Sequence, residues 1–301
     1  MSRLYTDSIN VRRSVVLMAI PSKGRLVEPT VNLLQAIGIK LQSIDERALI
    51  ISTSWHDLNV VRVRPEDIPS IVESGAAILG ITGHDYVVES EANVEEVLDL
   101  GFGKGELVLA VPSSLKIEHP EDIPDGFRVA TKYVNIAKKY FERIGKKVKI
   151  VKVSGSVEVM PLLGAADGII DVTSTGTTLK LHGLKVIDKV LSSSARLIKP
   201  VSIDNNDAKY MINKIVTLTK SVLNSIGKRL ILMNVPDEVL NNVLTVLPAM
   251  EGPMVARIVS GKPMWEVLTV VNEDELPDLI MKLKSRGAKD ILVLSIEKVI
   301  P

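Results

Sequence analysis

The stretch DGIIDVTSTGTTL, residues 167–179, sets the reading of the whole chain. It reads as a short apolar strand carrying two carboxylates, Asp167 and Asp171, then a hydroxyl and glycine loop, then a helix whose first turn spans residues 179–181. Ser174, Thr175, Thr177 and Thr178 set hydroxyls around Gly176, where the backbone can turn tightly and come close to a ligand. The free N–H groups of a helix start point back at such a loop, and N–H and O–H donors together suit a phosphate. Carboxylates cannot hold phosphate; they suit ribose hydroxyls or a metal, so the stretch points to a phosphorylated sugar. A Thr-rich helix cap is the plain alternative.

Working outward, residues 164–176 (GAADGIIDVTSTG) echo residues 75–83 (GAAILGITG), each pairing Gly-Ala-Ala with a strand and a Thr/Gly loop. The echo predicts two similar α/β lobes. In the first, residues 15–20 (VVLMAI) form a buried strand followed by PSKGRL and a helix over 26–37. That places Lys23, Gly24 and Arg25 at the carboxyl end of a strand, the edge where open α/β sheets take ligands. Residues 47–52 and 58–64 predict an antiparallel strand pair, with Arg62 and Arg64 facing one side. Pro65 starts a helix to Glu73, and a strand over 76–81 leads into TGHDY, where His84 reads as a surface residue without a carboxylate partner. Residues 106–111 (ELVLAV) read as the strand that crosses between lobes. A strand over 127–131, a helix over 132–144 and a strand over 148–153 lead to SGSVEV, with Glu158 at a helix start. Strands over 184–190 and 193–198 return the chain to the first lobe, and one helix covers 207–226.

After Gly227 the order becomes strand 229–235, helix 237–247, hairpin 255–260 and 265–271, helix 273–286 and strand 291–299. That is βαββαβ, the ferredoxin-like order. The expected fold is therefore α/β: a two-lobed region plus a small C-terminal ferredoxin-like domain. The expected boundaries are lobe I at 1–105 and 191–226 with an N-terminal arm at 1–14, lobe II at 106–190, and the C-terminal domain at 227–301.

Composition narrows the function. A formal charge of +1 across 301 residues implies no polyelectrolyte partner, so no nucleic acid is expected. The absence of cysteine removes disulfides, thiolate zinc sites and cysteine nucleophiles, and fits a reducing compartment. No run is long enough for a signal peptide or a membrane span, so no membrane partner is expected and the expected location is the cytoplasm.

The segments SKGRL, RVRPEDIP, GITGHD, GFGKGELVLAVP, SGSVEV, ADGIIDVTSTGTTL, LPAMEGP and GAKDILVLSIEKV, in this order, resemble one family: ATP phosphoribosyltransferase in its long form. The resemblance implies condensation of ATP with phosphoribosyl pyrophosphate (PRPP), the first step of histidine biosynthesis, in the cleft of two periplasmic-binding-protein-like (type II) lobes. It implies that residues 174–178 hold the 5-phosphate of PRPP, with Asp171, Asp167 and Glu158 near the ribose. Lys23, Gly24, Arg25, Arg47, Arg62 and Arg64 then serve the pyrophosphate and nucleotide. Mg²⁺ is expected through the substrate phosphates, with Asp171 the candidate protein ligand. The resemblance also implies AMP as a further ligand, dimers and hexamers, and feedback inhibition by histidine at Asn234, Met250, Met254 and Asp290 of a regulatory C-terminal domain. No acid–base residue is nominated, because adenine N1 carries a free lone pair. Two departures stand out: Ile78 where the family has Asp, and Met254 where it has Thr. A non-catalytic ligand-binding or sensor protein on the same two-lobed fold is the competing reading.

Overall fold

The computed structural model describes residues 15–42, 48–173, 176–248, 252–259 and 261–300. The arm 1–14 and the sequence-nominated Arg47, Ser174, Thr175 and Met250 lie outside the described residues. The chain divides into two compact units, Met1–Val216 and Thr217–Pro301.

The first unit opens with β1 (Val16–Pro21), α1 (Val27–Ala36), β2 (Ile50–Ser52), β3 (Leu58–Val63), α2 (Ile68–Glu73), β4 (Leu79–Gly83), α3 (His84–Ser90) and β5 (Val94–Asp99). It continues through β6 (Gly105–Pro112), β7 (Arg128–Thr131), α4 (Val134–Arg143), β8 (Lys149–Lys152), β9 (Gly168–Thr173), α5 (Thr177–Leu181) and β10 (Leu184–Ser193). β11 (Ala195–Pro200) and α6 (Asn206–Ser225) follow, α6 running across the boundary between the units. Two sheets result, ordered β2-β3-β1-β4-β11-β5 and β10-β6-β9-β7-β8.

β1 pairs in parallel with both β3 and β4, as a strand without polar side chains must when both its faces are covered. In the second sheet β6 alternates two buried sets. Leu107, Leu109 and Val111 face the core that α4 fills with Tyr140 and Phe141, while Val108 and Ala110 face Ile169 and Leu179. β6 is thus a strand inside the second sheet, and residues 100–104 make the crossing that the sequence reading gave to residues 106–111. The sequence reading also passed over β5, whose Glu95, Glu96 and Asp99 break the apolar pattern; it pairs only with β11 in its sheet.

The echo between residues 75–83 and 164–176 is a repeat in space. Ile78 N–H donates to Leu17 O at 2.9 Å, and Asp167 N–H donates to Arg128 O at 2.8 Å, so β4 enters beside β1 as β9 enters beside β7. The side chains at this shared position differ. Leu17 and Ile78 form an apolar pair in the first lobe; Arg128 and Asp167 form an ion pair in the second, with Arg128 Nη2 2.6 Å from Asp167 Oδ1. Ile78 therefore stands at the entry end of β4, away from the loop after Gly83, at the position that Asp167 takes in the second lobe.

The second unit holds β12 (Lys228–Pro236), α7 (Leu240–Leu244), β13 (Met254–Arg257), β14 (Met264–Asn272), α8 (Leu276–Ser285) and β15 (Lys289–Ser295). Its sheet order is β13-β14-β12-β15, with every neighbouring pair antiparallel. Ile231, Met233, Val235, Val267 and Val271 bury one face against Leu279 and Leu283 of α8. β15 stops at Ser295 rather than at residue 299, because Val299 N–H turns to Ser221 O of α6 at 2.8 Å.

Gly168 gives the fold its clearest test. A Cβ there would lie 2.8 Å from Phe127 Cε1 and 3.1 Å from the Ala110 carbonyl oxygen. Gly168→Ala should lower the urea-unfolding free energy by about 1–3 kcal/mol, the usual cost of overpacking. An unchanged midpoint would contradict the packing of β9 against β6.

Candidate active site

Three segments of the first lobe and three of the second converge on a cavity of about 560 Å³. Lys23, Gly24 and Arg25 line it from the loop after β1, with Glu66 from the turn before α2 and Asp85, Tyr86 and Glu89 from α3. Lys132, Tyr133, Lys152, Ser154 and Val172 line it from the second lobe.

The loop after β1 owes its position to the glycines of GFGKGEL. A Cβ on Gly103 would stand 2.1 Å from Leu26 Cδ2, and one on Gly105 would stand 2.6 Å from Arg25 Nη1. The crossing segment is bare at these points so that Leu26 and Arg25 can lie against it. Lys23 Nζ reaches Glu66 Oε1 at 3.1 Å. Burial alone would push the Glu66 carboxyl up, but its own backbone N–H, Lys23 and Arg64 outweigh that and hold it below the ordinary range. Arg64 thus acts at the rim, and neither Arg62 nor Arg64 lines the cavity itself. The two arginines do not enter it from a shared strand face, because β3 ends at Val63 and Arg64 belongs to the turn that follows.

At the centre sits Asp85, 2% exposed. Its Oδ2 accepts from the Tyr133 hydroxyl at 2.6 Å and its Oδ1 from the Ser193 hydroxyl at 2.7 Å. Burial, and then the charge of Asp85, push the Tyr133 phenol far above its ordinary value, so Tyr133 is a fixed donor and not a base. The Tyr86 and Tyr133 rings lie 5.9 Å apart, and the Lys132 ammonium stands 4.8 Å from the Tyr133 ring centroid and 5.5 Å from that of Tyr86.

The two carboxylates of this stretch, Asp167 just before β9 and Asp171 within it, part company. Asp171 lies among Lys132, Glu158 and Asp85, and burial, reinforced by the two acidic neighbours, raises its carboxyl above the ordinary range. Asp171 itself does not line the cavity; its neighbour Val172 does. Asp167 stands four residues back along the strand, about 13 Å away. There Arg128 binds it through Nε and Nη2 and its backbone N–H, at 3.1, 2.6 and 2.8 Å. These hydrogen bonds hold its carboxyl below the usual value. Asp167 is therefore engaged by Arg128 as a structural anchor, whereas the sequence reading set it near the ribose. Beyond Asp171, Gly176 is in the left-handed region at φ +73° and its N–H donates to Thr173 Oγ1 at 2.8 Å. Thr177 and Thr178 are exposed and already belong to α5, so the helix begins two residues earlier than expected.

His84 also needs correcting. Its Nδ1 lies 2.7 Å from Glu96 Oε1 on β5, the strand that the sequence reading passed over. Glu96 also pairs with Arg196, which in turn pairs with Asp99. Asp99 and Arg196 border a second cavity of about 430 Å³ beside the crossing residues Lys104–Glu106 and Ser192–Ser194. Its carboxylates are matched by Arg196, Lys189 and Ser194, which marks a braced crossing rather than a ligand site.

The sequence reading missed Tyr86, Glu89, Lys132, Tyr133 and Lys152 as cavity residues. A signal existed: in a chain with five tyrosines, HDY and TKY each follow a strand of the repeated unit.

Residues 64–221 match the family model described as ATP phosphoribosyltransferase, and residues 226–298 match HisG, C-terminal domain. The chain belongs to the ATP phosphoribosyltransferase family. It is 58% identical to the ATP phosphoribosyltransferase of Ignicoccus hospitalis over 282 residues, covering 94% of this chain and 99% of that protein. It is 54% identical to that of Sulfurisphaera tokodaii over 283 residues, covering 94% and 99%. Among solved structures, the ATP phosphoribosyl transferase (HisG:HisZ) complex from Thermotoga maritima aligns with a TM-score of 0.58 at 30% identity, covering 68% of this chain and 98% of that one. This member of the family is an enzyme that condenses ATP with PRPP in histidine biosynthesis, which sets aside the non-catalytic reading.

The placement of Asp167 predicts a separation of stability from activity. Asp167→Asn should leave turnover unchanged while lowering thermal stability at neutral pH. A depressed carboxyl stabilises the fold above the unfolded value of about 3.9 and loses that contribution as pH falls through its folded value. Thermal melts of wild type and variant should therefore differ at pH 7 and converge in acid. Loss of turnover without loss of stability would return Asp167 to the site.

Proposed function

We propose that the condensation takes place in the cavity between the two sheets, with residues 174–178 holding the 5-phosphate of PRPP and Asp171 and Glu158 its ribose hydroxyls. The observation that carries this is the half-buried Asp171, its carboxyl raised above the ordinary range, beside Glu158 and Lys132 and next in the chain to Val172, which lines the cavity. Lys23, Gly24 and Arg25 serve the polyphosphates, and Lys132 and Lys152 join them from the second lobe. Arg64, at the rim beside Glu66, is placed to steer anions rather than to grip them.

In the reaction the lone pair of adenine N1 forms a bond to the anomeric carbon of PRPP. The bond from that carbon to the pyrophosphate oxygen breaks, and its electron pair leaves with pyrophosphate. No proton has to be removed before attack, so the residues act by positioning and by compensating charge. Asp171 and Glu158 fix the ribose and set negative charge near the developing ribosyl cation. The lysines and Arg25 receive the departing pyrophosphate.

Among the described residues no three His, Asp or Glu side chains gather closely enough to cage a metal. Asp171 and Glu158 fit Mg²⁺ of the kind that takes one or two carboxylates and completes its shell with substrate phosphates and water. When bound there, Mg²⁺ supplies neutralisation of polyphosphate charge.

The C-terminal unit is read as a ferredoxin-like regulatory domain, and its strand order and antiparallel pairing support this. Histidine is proposed to bind near Asn234 and Asp290, whose side chains meet at 2.9 Å. Asp290 holds φ at 49°, in the left-handed region that Asp tolerates better than most non-glycine residues. Met254 is 58% exposed and offers no hydroxyl, so recognition must rest on the polar pair. Leu292 and Leu294, 60% and 46% exposed on β15, support assembly into the family's dimers and hexamers. The two-lobed unit is read as periplasmic-binding-protein-like, and a cysteine-free sequence supports a cytoplasmic location.

Asp171→Asn tests the site. A raised carboxyl costs the folded state stability at pH 7, so the variant should melt no lower than wild type there, and their difference should vanish below about pH 4. With ATP, PRPP and Mg²⁺, pyrophosphate release should nonetheless fall at least about tenfold in kcat/KM for PRPP. Full activity of the variant would remove Asp171 from the site. For regulation, calorimetric titration of the full chain with histidine should show binding that Asp290→Asn abolishes. Undiminished binding by the variant would place the inhibitor elsewhere.

A further inference from the structure

Helix α3 belongs to the first lobe, yet most of its polar contacts are with the second. Helix α4 begins at Val134, and its N-cap residue Tyr133 makes no side-chain capping bond. Such a helix start carries free N–H groups that need acceptors. Here the acceptor comes from the other lobe. The Glu89 carboxylate takes the Asn135 N–H at 3.1 and 3.0 Å and the Ile136 N–H at 3.0 Å, and the Asn135 amide returns a bond to Glu89 O at 2.9 Å. One turn earlier on α3, Asp85 holds Tyr133 and Ser193. At its C-terminal end Glu91 pairs with Lys139 of α4 at 2.6 Å.

We propose that α3 sets the separation of the two lobes, with Glu89 as the positioning residue, because the carboxylate caps α4 only when the lobes stand at this distance. The reaction joins two substrates, and an error of about 1 Å in placing reacting atoms can cost about a hundredfold in rate. A cap supplied across the cleft turns helix capping into a measure of closure: part the lobes, and the N–H groups of Asn135 and Ile136 lose their acceptor. The inference rests on the reaction and on these contacts, and holds whichever substrate each lobe carries.

The chain has no cysteine, so a labelled pair can be introduced without background. Gln35 and Lys147 are exposed residues of the first and second lobe, and Gln35→Cys with Lys147→Cys carries two spin labels on the full chain. Pulsed electron resonance then reads the distance between lobes while steady-state assays read kcat and KM. Glu89→Ala should broaden and lengthen the distance distribution and lower kcat at least about tenfold, with each KM changing by less than about threefold. Glu89→Gln, whose amide oxygen still accepts an N–H, should show the same coupled changes to a smaller degree. If Glu89→Ala does not fold, Glu89→Gln alone decides. A fall in kcat with an unchanged distance distribution overturns the proposal, as does a changed distribution with unchanged kcat, or no effect on either.

Discussion

The carboxylate of Asp85 is the point on which the first unit turns. It is buried, and burying a charge is costly unless hydrogen bonds satisfy it. Its two donors come from places far apart in the chain, Tyr133 at the head of α4 and Ser193 where the chain crosses back to the first sheet. Satisfying one side chain therefore requires that both lobes and a crossing strand be in register. The cavity forms around this point: Tyr86 and Lys132 stack beside Tyr133, and Asp171 lies close enough to feel the charge of Asp85. Remote residues such as Gly103 and Gly105 serve the same end by leaving room for Leu26 and Arg25.

Much of this was legible in the sequence, for identifiable reasons. A strand covered on both faces, such as β1, shows as an unbroken apolar run, and the repeated Gly-Ala-Ala marks the entry of β4 and β9 alike. β5 was not legible because an edge strand with one neighbour needs no apolar alternation, and its acids are spent on Arg196, Lys199 and His84. The site was half legible. Loops at strand ends announce themselves by Gly and Lys, so Lys23, Gly24 and Arg25, which line the cavity, could be named as candidates. Glu89, Lys132 and Tyr133 lie on or next to helices whose composition is ordinary. Only the packing of one lobe on the other gives them a role, and that packing has no local signature.

Asp167 and Asp171 show why residue type and proximity in sequence do not assign a role. They share one strand, yet an arginine and a backbone N–H hold one ionised while burial presses the other toward neutrality. The first strengthens the fold, and the second is a standing cost to it. A protein retains such a cost where a ligand relieves it. The contrast between Arg128–Asp167 and Leu17–Ile78 adds that the repeated unit tolerates either chemistry at its entry point, because the backbone bond there is the same.

The strand order of the first sheet has a consequence for how the chain is made. Among the described residues β5 pairs only with β11, and β11 is wedged between β4 and β5 although 95 residues of sequence (100–194) separate it from β5 and 111 (84–194) from β4. As the chain emerges from the ribosome, β5 has no strand to join until Pro200 has been synthesised. By then every strand of the second sheet is out and can pair. The lobe begun first is thus the lobe finished last, and until it closes, its unpaired edges at β4 and β5 are the segments most exposed to misassociation.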